Sequence, residues 1–251
     1  MQTHADVTAK VPAITLGFWI IKVLATTLGE TGGDSVSMSM NLGYLVGTAI
    51  FMAVFIAAVI LQIKARGFHP LLYWATIIAS TTVGTTLADY ATRSLGIGYA
   101  GGSVLLLALL LASLIAWYRT TGSIDVATVA TPRTEFFYWI TIMFSQTLGT
   151  ALGDWTADTA GLGYLGAAAI FSALLLAVIA LHYTTSISRS VLFWAAFVLT
   201  RPLGAVVGDF LDKPVANGGL ELSRYAASGA LLVAIALLIF LLPQRAATRP
   251  H

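Results

Sequence analysis

The chain lacks cysteine and is poor in charge: of its 251 residues none is Cys and only 10% are Asp, Glu, Lys or Arg. The absence of Cys excludes disulfide frameworks, thiolate metal sites and redox pairs. A soluble domain carries about a quarter charged residues, so this low charge, with 58% apolar residues and a mean hydropathy of +0.87, indicates an integral membrane protein surrounded by lipid bilayer. The net charge of +2 is too small to predict nucleic-acid binding.

Eight apolar segments are long enough to cross a bilayer, which takes about 20 residues in a helix. They lie at 12–33, 44–63, 70–91, 99–118, 135–156, 164–183, 190–211 and 225–242. The odd-numbered segments hold the intramembrane acids and most polar residues, whereas the even-numbered ones are almost free of charge. We therefore expect an all-α integral membrane protein that forms a single transmembrane domain over 1–251.

One pattern occurs four times along the chain: a Trp, then a Gly ten residues later, then an Asp five residues after the Gly. The copies are Trp19-Gly29-Asp34, Trp74-Gly84-Asp89, Trp139-Gly149-Asp154 and Trp194-Gly204-Asp209. A fixed period is typical of repeat architectures. It divides the chain into two-helix repeats at 11–66, 67–119, 133–186 and 187–243.

Basic residues predict the orientation of these repeats. Most lie in the connections between repeats, and few lie in the loops inside them. Because cytoplasmic loops are enriched in Lys and Arg, both termini are expected in the cytoplasm and the aspartates toward the outside. Two helices per repeat make the repeats parallel, related by an axis along the membrane normal. The simplest closed arrangement of four such repeats has eight transmembrane helices packed with pseudo-fourfold symmetry around a central axis.

Polar residues line one face of each odd-numbered helix, at the spacing i, i+3, i+4 and i+7 that places side chains together. The stripes are Thr27-Glu30-Thr31-Asp34, Thr82-Thr85-Thr86-Asp89, Thr147-Thr150-Ala151-Asp154 and Pro202-Ala205-Val206-Asp209. Such a stripe avoids lipid, so the four predict a central acidic, Thr-lined outer vestibule.

Carboxylates and hydroxyls are the ligands of hard cations. The candidate ion ligands are Glu30, Asp34, Asp89, Asp154 and Asp209, with Thr27, Thr82, Thr86 and Thr147. The sequence requires no cofactor, and Mg²⁺, Mn²⁺, Ca²⁺ or protons are the ions that these five acids would bind.

Two basic residues interrupt the repeat inside apolar segments. Lys22 stands where the other copies have Ile77, Ile142 and Phe197, and Arg201 stands where they have Thr26, Thr81 and Gln146. They admit three interpretations: pairing with a carboxylate of a neighbouring helix, proton coupling or binding of a substrate carboxylate, and, for Lys22, snorkelling to the interface. We take Lys22, Arg201 and Gln146 as candidate coupling or charge-pairing residues.

A purely structural interpretation of the repeat competes with the functional one. The aspartates can cap backbone N–H groups of the adjoining loops, and the glycines can let helices pack closely. The four tryptophans fit interfacial anchors. Residues 1–9 and 244–251 are expected to be short disordered tails.

The first repeat carries a family resemblance through Phe18-Trp19-x-x-Lys22 and Thr26-Thr27-Leu28-Gly29-Glu30-Thr31-x-x-Asp34. It resembles a bacterial membrane family built from the tandem repeat catalogued as domain of unknown function 347. The resemblance covers residues 11–242 and implies a multi-pass protein of the bacterial inner membrane. It implies no catalytic or binding residue.

The leading functional hypothesis is a transporter or channel-like protein for a cation, either a hard divalent metal or protons. A membrane sensor or assembly protein with a structural polar centre is the first alternative. A transporter of small organic anions, bound by Lys22 and Arg201, is the second. No nucleophile–base pair can be named, so we do not expect an enzyme. The sequence leaves the small-molecule substrate open, and it allows an oligomer.

Overall fold

The computed structural model describes residues 9–248, whose regular structure consists of helices. The eight long helices are α1 Leu16–Asp34, α2 Gly43–Lys64, α3 Pro70–Asp89, α4 Tyr99–Thr121, α5 Pro132–Asp154, α6 Gly163–Thr184, α7 Arg189–Asp212 and α8 Arg224–Leu241. They match the eight predicted segments to within a few residues. Six of them (α2, α3, α4, α6, α7 and α8) are long and apolar enough to cross a membrane.

The four polar helices pack against one another in a closed ring. Helix α1 contacts α3 and α7, and α5 contacts the same two. At each contact a glycine faces the residue three positions before the corresponding glycine of the next repeat: Gly29 faces Thr81, Gly84 faces Gln146, Gly149 faces Arg201, and Gly204 faces Thr26. Small residues at these contacts let membrane helices approach closely. The fourth repeat thereby meets the first, which closes the ring.

The four apolar helices surround this ring, each against the next repeat. Helix α2 packs on α3, α4 on α5, α6 on α7, and α8 on α1. Their outward faces are rich in exposed large apolar side chains such as Val104, Leu176 and Leu241. An apolar surface of this extent is typical of a face that meets lipid. No repeat forms a packed unit by itself, because each apolar helix covers the polar helix of the next repeat.

Aromatic side chains fill the ring at the end where the polar helices begin, called the aromatic end below. Rings of successive repeats pair around it: Phe18 with Trp74 at 5.4 Å, Tyr73 with Trp139 at 5.8 Å, Tyr138 with Trp194 at 6.1 Å, and Phe193 with Trp19 at 5.8 Å between centroids. The prediction that the tryptophans are interfacial anchors is therefore wrong for Trp74, Trp139 and Trp194. They are buried against other aromatic rings, and an anchor would place its ring among the lipid headgroups.

The two ends of the described chain meet at the aromatic end. The Ala13 amide donates to the Arg245 carbonyl (2.7 Å), and the Ala247 amide donates to the Val11 carbonyl (2.8 Å). Lys10 pairs with Glu135 at 2.6 Å. The expectation of disordered tails is wrong within the described range, because these backbone bonds order residues 244–248 and Ala9 is buried. The remaining tail residues lie outside the described range.

Glycine packing in the ring predicts a strong size limit at Gly84. A Cβ there would lie 2.8 Å from the backbone carbonyl carbon of Gln146, which cannot move without shifting α5. We expect Gly84→Ala to destabilise the protein by about 1–3 kcal/mol, measured as thermal unfolding in detergent. Gly229→Ala is the matched control, because Gly229 lies inside α8 with open space around it; it should be neutral or stabilise by about 0.5–1 kcal/mol. Equal effects of the two changes would contradict the packing argument.

Candidate functional site

Four aspartates form a ring near the ends of the polar helices, called the acidic end below. Asp34, Asp89, Asp154 and Asp209 are between 0% and 3% exposed. In the first three repeats a π-helical turn follows the aspartate directly, over Ser35–Ser39, Tyr90–Ser94 and Trp155–Thr159. In the fourth repeat α7 continues as regular helix to Asp212. The connection that follows, 213–223, is longer than the corresponding connections of the other repeats.

Two basic side chains each bridge a pair of these aspartates. The Arg93 guanidinium contacts Asp89 through Nε (2.9 Å) and Asp154 through Nη2 (3.2 Å). The Lys213 ammonium donates to Asp34 and lies 3.1 Å from Asp209. Burial alone would lower the pKa of Lys213, but the carboxylates around it raise that pKa above its ordinary value, so the ammonium stays charged. Each cation comes from the segment that follows a polar helix.

These ion pairs change two expectations about the aspartates. The four aspartates do not line the predicted acidic, Thr-lined vestibule, because the carboxylates are buried and Arg93 and Lys213 lie among them. The capping interpretation also fails over residues 9–248, where no backbone N–H donates to any of the four carboxylates. Asp154 and Asp34 instead accept hydrogen bonds from Arg93 and Lys213, and Asp89 and Asp209 form ion pairs with the same two bases.

One turn deeper, Glu30 and Arg201 form a buried pair at the centre of the ring. Arg201 Nη2 lies 3.1 Å from Glu30 Oε2 and donates to the hydroxyls of Thr85 (2.6 Å) and Thr150. Four side chains from the four polar helices thus meet at one point. The prediction that Arg201 pairs with a carboxylate of a neighbouring helix is confirmed, with Glu30 as the partner.

Lys22 lies about two turns before Glu30 on α1, toward the aromatic end, and has no hydrogen-bond partner within the described chain. Its ammonium is fully buried, 4.1 Å from the centroid of the Phe197 ring. Snorkelling is therefore wrong for Lys22. The Gln146 amide donates to Ser80 (3.4 Å), while its oxygen is unpartnered, as are Nε and Nη1 of Arg201. Unpaired buried polar groups cost free energy, so Lys22, Gln146 and Arg201 form a second candidate site besides the acids.

The predicted threonine ligands lie apart from the meeting point of Glu30 and Arg201. The hydroxyls of Thr27, Thr82, Thr86 and Thr147 each donate to a carbonyl of their own helix, and Thr86 also faces Gly47 of α2. The hydroxyls that reach the central pair belong to Thr85 and Thr150, one turn before two of the ring aspartates. Three of the side chains that meet at the axis, Glu30, Thr85 and Thr150, each lie four residues before a ring aspartate.

The buried cluster carries more acids than bases. Its five carboxylates are Glu30, Asp34, Asp89, Asp154 and Asp209, and its three basic groups are Arg93, Arg201 and Lys213. The acids outnumber the bases by two, and the adjoining Asp212–Arg224 pair (2.9 Å) adds one of each. Carboxylate oxygens come within 4.8 Å of one another in three triads: Glu30-Asp34-Asp89, Glu30-Asp154-Asp209 and Asp34-Asp209-Asp212. Such oxygens suit hard cations.

Comparison with known proteins finds one family for these repeats. The family model described as Repeat of Unknown Function (DUF347) matches four times, at residues 17–68, 72–123, 137–188 and 192–245. No curated protein and no solved structure matches the chain.

The central pair predicts a strong coupling between Glu30 and Arg201. Arg201→Met leaves a buried carboxylate without its cation and should cost about 3–5 kcal/mol of unfolding free energy, measured by equilibrium unfolding in mixed micelles. The double variant Glu30→Gln, Arg201→Met should lose less than Arg201→Met alone. The control Arg66→Met removes an exposed arginine and should change little. Additive losses in the double variant would contradict the coupling.

Proposed function

The chain belongs to the membrane-protein family built from the Repeat of Unknown Function (DUF347), and we propose that it carries a cation across the membrane along the axis of its four polar helices. The observation that carries the proposal is the excess of two carboxylates in the buried acidic cluster. Uncompensated charge is expensive in a dry interior. A cluster of this composition is therefore a site that gains free energy by binding cations.

The proposal includes an arrangement in the membrane. All eight helices cross the bacterial inner membrane, as four parallel repeats about a pseudo-fourfold axis along the membrane normal. Both termini lie in the cytoplasm and the acidic end faces the outside. The distribution of Lys and Arg between the two ends supports this orientation. The closed ring of α1, α3, α5 and α7 supports the axis.

Protons are the cations that fit the cluster best. Each ring aspartate already contacts Arg93 or Lys213, so two protons can neutralise the excess charge without displacing either base. A divalent ion takes six or more oxygen ligands, some of them water, and it would have to fit among the carboxylate triads, which Arg93, Arg201 and Lys213 already contact. Transport of Mg²⁺, Mn²⁺ or Ca²⁺ is the second candidate, favoured by those triads, and would require the displacement of a basic side chain.

Glu30 and Lys22 are the residues to which we assign transfer along the axis. Glu30 lies within 4.8 Å of ring carboxylates on both sides and also contacts Arg201. It therefore connects the acidic ring with the centre of the membrane. Lys22, unpartnered and fully buried, is the next ionisable group on the axis toward the aromatic end. An amine in this position can gain and lose a proton as the pathway opens to either side.

Glu30→Gln tests the proposed pathway. The amide oxygen can still accept from Arg201, so the fold should persist, while the loss of the titratable acid should abolish proton flux. The measurement is the pH change inside proteoliposomes carrying a trapped pH-sensitive dye, driven by a potassium diffusion potential. A parallel assay with a Mn²⁺-sensitive dye tests the second candidate.

Glu221→Gln is the matched control, because it makes the same chemical change at an exposed glutamate of the acidic end. It should leave the flux at the wild-type level. Full flux in Glu30→Gln would overturn the role of Glu30. Absence of both proton and metal flux in the wild type, with acid-to-amide changes lowering only thermal stability, would favour the sensor or assembly protein instead.

A further inference from the structure

An open cavity of about 770 Å³ lies at the acidic end, directly beyond the aspartate ring. Its lining includes the two bases that bridge the ring, Arg93 and Lys213, and also Arg224. The other polar side chains in the lining are Tyr164, Asn217 and Asp158. Five of these six side chains can donate hydrogen bonds and one is an acid. We refer to this depression as the basic cavity.

Each of the two arginines in the lining has one guanidinium nitrogen that makes no hydrogen bond within the described chain. Arg93 uses Nε and Nη2 for Asp89, Asp154 and Tyr99, and Nη1 has no partner within residues 9–248. Arg224 uses Nε and Nη1 for Asp212 and Ser39, which leaves Nη2. The two side chains are 30% and 21% exposed, respectively, although their acid partners are buried.

Charge is layered at this end of the molecule. The aspartate carboxylates lie deeper than the bases, since they are almost fully buried while the arginines are partly exposed in the cavity lining. A ligand in the cavity therefore meets guanidinium and ammonium groups first. The arginine fork is well suited to oxyanions, because it donates parallel hydrogen bonds to two oxygens. Asp158 is the one lining group that opposes an anion.

We propose that the basic cavity binds a small organic molecule through an oxyanion, a phosphate or carboxylate group held by Arg93 and Arg224 beside Lys213. The cavity volume lies within the range of ordinary small-molecule sites, about 300–1,000 Å³. It exceeds the volume of an isolated phosphate, so the oxyanion is part of a larger molecule. The oxyanion belongs either to a free solute or to a lipid headgroup at the membrane surface.

Two opposite charge changes in the cavity wall test this site without touching the acidic ring. Inorganic phosphate is titrated by calorimetry into the full chain purified in a neutral detergent. Asp158→Asn removes the opposing charge and should tighten phosphate binding about three- to sevenfold, as expected for a unit charge several ångströms away. Asn217→Asp adds an acid to the same wall and should weaken binding by a similar factor.

Glu221→Gln is the control for general surface charge, because Glu221 lies at the same end but outside the basic cavity. It should leave the affinity unchanged. Absence of saturable phosphate binding in the wild type and in Asp158→Asn would overturn the proposal. Equal tightening by Asp158→Asn and Glu221→Gln would also overturn it, since it would show only diffuse attraction to the surface.

Nanodiscs distinguish the two sources of the oxyanion. Phosphate binding that persists in nanodiscs of phosphatidylcholine, and is unaffected by phosphatidylglycerol, supports a free solute. Loss of phosphate binding on adding phosphatidylglycerol supports a lipid headgroup in the same cavity. All of these titrations measure binding in the absence of transport. Failure of the cation-flux assay therefore leaves the cavity proposal standing, and failure of phosphate binding leaves the flux proposal standing.

Discussion

Close contact between the polar helices is the constraint on which the rest of the structure depends. At four positions a glycine of one helix faces a side chain of the next, and the helices approach too closely for a methyl group at Gly84. This approach brings five carboxylates of four helices into two triads that share Glu30, each with oxygens within 4.8 Å of one another. The carboxylates then need bases nearby, and Arg93, Arg201 and Lys213 supply them. Packing and electrostatics therefore cannot be altered independently at this site.

The repeats are alike in backbone and complementary in charge. The first repeat contributes the extra acid Glu30, and the fourth contributes the base Arg201 that pairs with it. The fourth repeat also lacks the threonines of the others and instead supplies Lys213 from its longer loop. Arg93 of the second repeat bridges its own aspartate and that of the third. Four similar helix pairs thus surround an asymmetric polar centre.

Much of this could be predicted from sequence, because hydropathy and a fixed repeat are strong signals. The eight helices, the four acids, Glu30 and the departures at Lys22 and Arg201 were all visible in the pattern. The bridging roles of Arg93 and Lys213 were not, since short loops give no periodic signal of where their side chains fold back. The stripes contained Thr85 and Thr150 as well as Thr82 and Thr147, but the periodicity of a single helix does not tell which of its hydroxyls reaches a side chain of another helix. Burial of the tryptophans was missed because an aromatic residue near the start of a helix is typical both of an anchor at the membrane interface and of a buried core.

Closure of the ring has a consequence for how the chain is made. The bases that contact Glu30 and Asp34 come from residues 171 and 179 positions later in the sequence. Domains form from the N-terminus as the ribosome proceeds, so α1, which carries Lys22, Glu30 and Asp34, is made long before α7. During that interval these groups have neither Arg201 nor Lys213 beside them. The charged groups of the first helix therefore gain their partners only when the last repeat completes the ring.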